Sequence, residues 1–127
     1  PQALTLNHGQ KWATDAPLRK GMDGIRSLVA PQLKAAHAGK LSAAQYKQLA
    51  GKIEREVAGI VENCKLEPAA EAQLHGVIAE IDAGVDAMIG KSAVTPPVDG
   101  LLKVTHAVNQ YPHYFDHPGF RALPIAH

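Results

Sequence analysis

The chain has 127 residues, a net charge of +1 at pH 7, and a composition of 46% hydrophobic and 20% charged residues. This length and composition are typical of one soluble globular domain with a single core, which we predict to span residues 1–127. Acidic and basic residues are interspersed and no apolar run is long enough to cross a bilayer. We therefore expect neither a nucleic-acid partner nor membrane insertion.

The first predicted helix spans about residues 15–38. Apolar residues recur there every three or four positions, the spacing that places them on one face of a helix. We expect the helix to start at Asp15, with Pro17 in its first turn, where a missing N–H costs no hydrogen bond. Pro31 lies inside the span, so a kink is expected at that point.

The second predicted helix spans about residues 43–65. Ser42 and Gln45 form a capping-box pattern just before its apolar stripe. The stripe keeps helical spacing as far as Cys64, so we expect the cysteine thiol to point inward.

Two more helices are predicted at about residues 68–89 and 97–111. Each follows a proline-containing turn, and Pro112 is expected to end or bend the last one. The tail, residues 112–127, is aromatic and interrupted by prolines. We predict that it packs over one end of the helices, with its two phenylalanines as anchors.

These elements predict an all-α, antiparallel up-down-up-down four-helix bundle, because the connections between the helices are short. In that topology the start of the first helix, the turn between the second and third, and the tail lie at the same end. Four side chains with metal-binding atoms fall at that end: Met22, Cys64, His75 and His117. Met88 is excluded, since it lies roughly 20 Å farther along a helix than His75.

These four side chains match the ligands of one kind of metal site. Thiolate, imidazole and thioether groups bind soft or borderline transition metals, and a cysteine, two histidines and a weak methionine hold copper in mononuclear electron-transfer sites. The sequence therefore predicts a cupredoxin-like copper site made by Cys64, His75, His117 and Met22. Zinc would accept the cysteine and the two histidines equally well.

A site of this kind predicts a role other than catalysis. No ligand position stays open for a substrate, so we expect electron transfer or copper handling, with a redox or copper-delivery protein as partner. A Cys/His nucleophile is disfavoured because neither a glycine-rich oxyanion loop nor a protease signature accompanies Cys64. The single cysteine also excludes an internal disulfide.

Two other interpretations stay open from the residues alone. Met22 and His106 resemble the pattern of cytochrome b562-type bundles, in which haem b lies between a methionine near the start of the first helix and a histidine near the end of the last. Alternatively, each candidate ligand is structural, since a buried lone cysteine usually acts as a small hydrophobic residue. The chain would then be an interaction or stress-sensing module whose aromatic tail binds a partner.

The chain resembles a family of small exported proteobacterial proteins in four stretches: Lys11–Met22 (KWATDAPLRKGM), Asn63–Pro68 (NCKLEP), Leu74–His75 and Phe115–Phe120 (FDHPGF). The resemblance covers nearly the whole chain and implies a periplasmic four-helix bundle, but it implies no particular activity. It also implies the ligand positions Met22, Cys64, His75 and His117. Phe120 stands where the family pattern leads us to expect tryptophan. The start at Pro1 instead of methionine leads us to expect a removed leader, and hence export.

Overall fold

The structure is a computed structural model that describes residues 3–124. Most of these residues are helical, which confirms the all-α class predicted from the sequence. The helices are α1 (Ala16–Val29), α2 (Leu33–His37), α3 (Ala43–Asn63), α4 (Pro68–Met88) and α5 (Pro97–Tyr114), and two short strands are β1 (Trp12–Ala13) and β2 (Phe115–Asp116). Among residues 3–124, no helix combines the length and the apolar character that crossing a membrane requires.

The first helical segment begins and bends where its sequence predicts. Asp15 is the N-cap of α1, and its Oδ1 accepts a hydrogen bond from the Leu18 backbone N–H at 3.0 Å. Pro17 lies in the first turn, where its missing N–H leaves no hydrogen bond unmade. The bend expected at Pro31 takes the form of a 3₁₀ turn, Ala30–Gln32, between α1 and α2.

The predicted capping box at the start of α3 is present. The Gln45 backbone N–H donates to Ser42 Oγ at 3.1 Å, and the Ser42 backbone N–H donates to Gln45 Oε1 at 2.8 Å. Two N–H groups that the first turn would leave unpaired are therefore satisfied by side chains.

Replacing Ser42 with alanine is expected to lower the free energy of unfolding by about 1 kcal/mol, because the N-cap acceptor is lost. Urea denaturation followed by circular dichroism measures this difference. Ser27→Ala is the matched control, since Ser27 is exposed in the interior of α1, where alanine is the better helix former. Equal stability of Ser42→Ala and the wild type would contradict the capping role.

The helices enclose one hydrophobic core. Helix α4 packs against α5 and α3, and α1 packs against α3 and α5. The largest completely buried side chains come from all four long helices and β2: Leu18, Met22, Ile25, Ile53, Ile60, Ile81, Met88, Leu101, Tyr111 and Phe115. Because every long helix contributes to this core, residues distant in the sequence are held in fixed positions around it.

Helix α5 extends beyond its predicted end at residue 111. Pro112 lies inside the helix, which continues to Tyr114. Proline removes only its own N–H from the helical ladder, and the Phe115 backbone N–H still donates to the Tyr111 carbonyl oxygen. The rings of Tyr111 and Phe115 stack with centroids 5.3 Å apart, and both side chains are fully buried. This aromatic packing favours one more helical turn past the proline.

The segment after α5 is packed against the helices, but it is not confined to one end of them as predicted. Strand β2 pairs in parallel with β1, with Trp12 opposite Phe115. The chain then runs back along α5, where the Asn109 side chain accepts the Leu123 backbone N–H at 2.6 Å and donates to its carbonyl at 3.1 Å. Arg26 Nε donates to the Arg121 carbonyl at 2.6 Å. Because of these hydrogen bonds, the segment lies along α1 and α5. The last predicted tail residues, 125–127, lie outside the described residues.

Candidate functional site

Asp15 joins the start of α1 to the end of α3. Its Oδ2 accepts a hydrogen bond from the Lys65 backbone N–H at 2.7 Å, and its carboxylate also interacts with the Cys64 thiol. Burial alone would raise the pKa of Asp15, but the hydrogen bonds from Lys65, Leu18 and Cys64 hold that pKa below its usual value. The carboxylate is therefore a fixed negative charge beside the only cysteine.

The segment before α1 is also tied to the segment after α5. Thr14 Oγ1 donates to the Asp116 carbonyl oxygen at 2.7 Å, next to the pairing of β1 with β2. Arg19 Nη1 donates to both the carbonyl oxygen and the hydroxyl of Thr14, at 2.6 and 2.9 Å. The start of α1, the end of α3 and the end of α5 therefore meet at one place.

Cys64 is the C-cap of α3 and is partly buried. Burial, and then the neighbouring charge of Asp15, raise the pKa of its thiol to about 11. The thiol is accordingly neutral near pH 7, and a neutral thiol is a poor nucleophile. This environment disfavours the Cys/His nucleophile considered above, although a bound metal ion would still displace the thiol proton.

His117 is held by both of its ring nitrogens. Its side chain is only 4% exposed, with Nδ1 2.8 Å from the Tyr111 hydroxyl and Nε2 3.2 Å from Asp23 Oδ1. The Phe120 ring packs against the imidazole with centroids 4.8 Å apart. His117, which belongs to the tail, therefore contacts both α1 and α5.

The Tyr111 hydroxyl is buried beside His117, 2.8 Å from its Nδ1 atom. Burial is the largest cause of the raised pKa of Tyr111, followed by the negative charge of Asp23, while Arg19 acts in the opposite direction. The charge of Asp15, and that of Cys64 once its thiol is ionised, raise the Tyr111 pKa further. We name five side chains near the meeting of α1, α3 and α5 the Tyr111 cluster: Tyr111, His117, Asp23, Asp15 and Cys64.

Two predicted ligands lie in the Tyr111 cluster, and a third lies in the hydrophobic core. Cys64 and His117 belong to the cluster. Met22 is completely buried in the core, one residue before Asp23 on α1. The thioether is therefore inside the protein, whereas the neighbouring Asp23 side chain is 60% exposed.

The fourth predicted ligand, His75, lies outside the cluster. Its side chain is 68% exposed, and its Nε2 is 3.9 Å from Glu71 Oε1 on the same helix. Leu74 takes the buried position on α4, and the helical period turns the next side chain away from the core. Within residues 3–124, no three His, Cys, Asp or Glu side chains are grouped closely enough to hold a metal ion.

The histidine of the haem interpretation, His106, is also on the surface. Its side chain is 60% exposed, and Nδ1 lies 3.1 and 3.2 Å from the two carboxylate oxygens of Glu80. His106 lines a groove of about 380 Å³ between α4 and α5, together with Val77 and Tyr114. Met22 does not line this groove, so the two proposed haem ligands do not face the same space there.

The sequence analysis missed Tyr111 and Asp23 as site residues. The apolar spacing of the last helix predicts only that Tyr111 lies on its buried face. A tyrosine on a buried stripe needs a hydrogen-bond partner for its hydroxyl, and that requirement is the signal that points to the neighbouring His117. Asp23 carries no comparable signal, because an exposed aspartate on a helix is common.

Comparisons with protein-family models, with curated proteins and with solved structures gave no significant match.

Proposed function

We propose that this chain is a metal-binding protein that holds one copper ion with Cys64, His117, Met22 and His75, for electron transfer or copper handling. The observation that carries the proposal is that the segments with Cys64 and His117, distant in sequence, are both tied to the start of α1. The Lys65 N–H donates to Asp15 Oδ2, and Thr14 Oγ1 donates to the Asp116 carbonyl oxygen. A thiol, a buried imidazole and a buried thioether form a soft donor set. Bound copper would supply a one-electron redox couple, and zinc is the alternative ion.

We also propose that the four long helices form an antiparallel up-down-up-down bundle. Packing of α4 on α3 and α5, and of α1 on α3 and α5, supports this arrangement. So do the hydrogen bond from Lys65 to Asp15 and the pairing of β1 with β2, because they join helix termini that share one end in that topology.

His75 is the ligand whose participation requires a change in conformation. Its imidazole would have to leave Glu71, to which it lies at 3.9 Å on an exposed surface. An exposed ion pair contributes about 1 kcal/mol or less, so this contact opposes the movement only weakly. His117 is already buried within the Tyr111 cluster, and one of its two ring hydrogen bonds would have to give way to the metal.

Metal titration of the full chain tests the proposal. Metal-free protein is titrated with Cu(II), and anaerobically with Cu(I) against a competing chelator. We expect one copper per chain and, with Cu(II), an intense visible absorption from the thiolate.

The matched control replaces two exposed histidines, His37 and His106, with alanine and should leave stoichiometry and colour unchanged. A colourless protein without specific binding would favour the interaction module, and a Soret band on haem addition would favour the Met22/His106 interpretation.

We further propose that the protein acts in the periplasm and exchanges electrons or copper with a protein partner, without converting a substrate. The resemblance to an exported family supports the location. Fractionation of the native cells, with detection by antibody, tests it, and recovery in the cytoplasmic fraction would contradict it.

A further inference from the structure

We infer that the surface between α1 and α5 is a docking site for an extended peptide, and that a second copy of this chain supplies that peptide with its residues 120–124. We call residues 120–124 the arm. In the structure the chain's own arm occupies the site, bonded to α1 through Arg26 and to α5 through Asn109. The inference is independent of the proposed copper site, because neither Arg26, Asn109 nor the arm contains a proposed ligand.

The polar contacts of the site are made with the backbone of the arm. The Asn109 side chain accepts the Leu123 N–H at 2.6 Å and donates to the Leu123 carbonyl oxygen at 3.1 Å. Arg26 donates from Nε to the Arg121 carbonyl oxygen at 2.6 Å and from Nη2 to the Ala122 carbonyl oxygen at 3.4 Å. Hydrogen bonds to the main chain are the contacts by which proteins bind extended peptides. None of them requires the arm to belong to the same copy.

The apolar contacts of the site select the sequence of the arm. Leu123 is only 3% exposed and belongs to the hydrophobic core. Three residues earlier, the Phe120 ring lies with its centroid 5.1 Å from that of Tyr111. Without the arm, the apolar surface under both side chains would face water, which is unfavourable. The arm of a second copy fits this surface by identity, because it carries the same phenylalanine and leucine at the same spacing.

A short turn decides which copy the arm binds. Pro118 and Gly119 are the central residues of the turn 117–120, in which the Phe120 N–H donates to the His117 carbonyl oxygen at 3.1 Å. Gly119 has φ +80°, and proline followed by a residue with positive φ is the signature of a type II turn. If this turn extends, the arm leaves its own helices and reaches those of another copy. Two copies that exchange arms form a symmetric dimer with the same contacts as the monomer.

Replacing Gly119 with valine in the full-length chain tests the exchange. A β-branched residue is strained at φ +80°, so the closed turn loses stability and the extended one is favoured. Strain of this kind, present in both chains of a pair, is expected to tighten dimerisation at least about tenfold relative to the wild type. Size-exclusion chromatography with light scattering over a range of concentrations measures the change. Gly119→Asn is the matched control and should behave as the wild type, because asparagine tolerates positive φ.

The acceptor side of the exchange is tested in the same background. Adding Asn109→Ala to Gly119→Val removes the side chain that binds the Leu123 backbone and should return the protein to the monomer. Asn63→Ala, at an exposed asparagine of α3, should leave the dimer intact. A Gly119→Val protein that stays monomeric, or a dimer that persists with Asn109→Ala, would overturn the inference.

A synthetic peptide tests the docking site without any change to the turn. The probe is HPGFRALP, the sequence of residues 117–124, labelled for fluorescence polarisation, and a scrambled peptide is its control. In full-length Leu123→Ala the chain's own arm is weakened while α1 and α5 are unchanged. We expect this variant to bind the probe at least about tenfold more tightly than the wild type, in which the intact arm competes. Absence of binding to Leu123→Ala, or equal binding of the scrambled peptide, would overturn the inference.

Discussion

Replacing Cys64 with serine is expected to abolish the visible absorption of the copper-loaded protein and to remove most of its copper affinity. The thiolate is the source of the colour and the strongest donor in the proposed set. Serine keeps nearly the same size and can still donate to Asp15, so the junction of α1 with α3 should persist. The loss should therefore appear in the copper titration and not in the far-ultraviolet spectrum.

The other ligand variants are expected to differ from Cys64→Ser, because their roles differ. His117→Ala should weaken binding and open a position to water. Met22→Leu should keep copper and shift the reduction potential, since a weak axial thioether tunes the potential more than it holds the ion. If His75→Ala weakens copper binding, the exposed His75 imidazole is a ligand; if copper affinity is unchanged, it is not. Unchanged stoichiometry and spectrum in Cys64→Ser would mean that copper binds elsewhere, on surface histidines, and the proposed site would be wrong.

Local sequence signals predicted the helices well. The capping pair Ser42 and Gln45, the start of α1 at Asp15 and the bend at Pro31 each depend on residues within a few positions of one another. The capping hydrogen bonds and the restricted backbone dihedral angles of proline involve only residues close together in the chain. They can therefore be predicted from the sequence alone. The end of α5 was missed because its extra turn depends on tertiary packing of Phe115 against the core.

The positions of the candidate ligands along the helices were easier to predict than the directions of their side chains. That Cys64 approaches the tail follows from the order of the helices and the shortness of their connections. His75 points to solvent because it follows the buried Leu74 directly, and consecutive residues of a helix point in different directions. A shift of one residue is too small to predict from the spacing. The partnership of Asp23 with His117 joins a helix to a loop, and no periodic pattern links two such residues. It could be found only from coordinates.

Replacing Gly84 with alanine is expected to destabilise the protein strongly, because α4 and α5 touch there through their backbones. A Cβ atom on Gly84 would lie 2.5 Å from the Gly100 carbonyl oxygen and 2.7 Å from Val104 Cγ2. A Cβ on Gly100 would likewise lie 2.5 Å from the Gly84 carbonyl oxygen. A carbonyl oxygen of a helix cannot rotate aside as a side chain can, so the two helices would have to separate.

The expected cost of Gly84→Ala is about 1–3 kcal/mol or more, the usual range for overpacking. Since a domain of this size is stable by only about 5–15 kcal/mol, the melting temperature should fall by roughly 5–15 °C.

Gly51→Ala is the matched control: Gly51 lies within α3, and its added Cβ would meet nothing within 4 Å. There the same substitution should stabilise the protein by about 0.5–1 kcal/mol, because alanine loses less backbone entropy than glycine in a helix. Calorimetry of both variants distinguishes the two effects. If Gly84→Ala were as stable as Gly51→Ala, the close contact of α4 with α5 would be wrong.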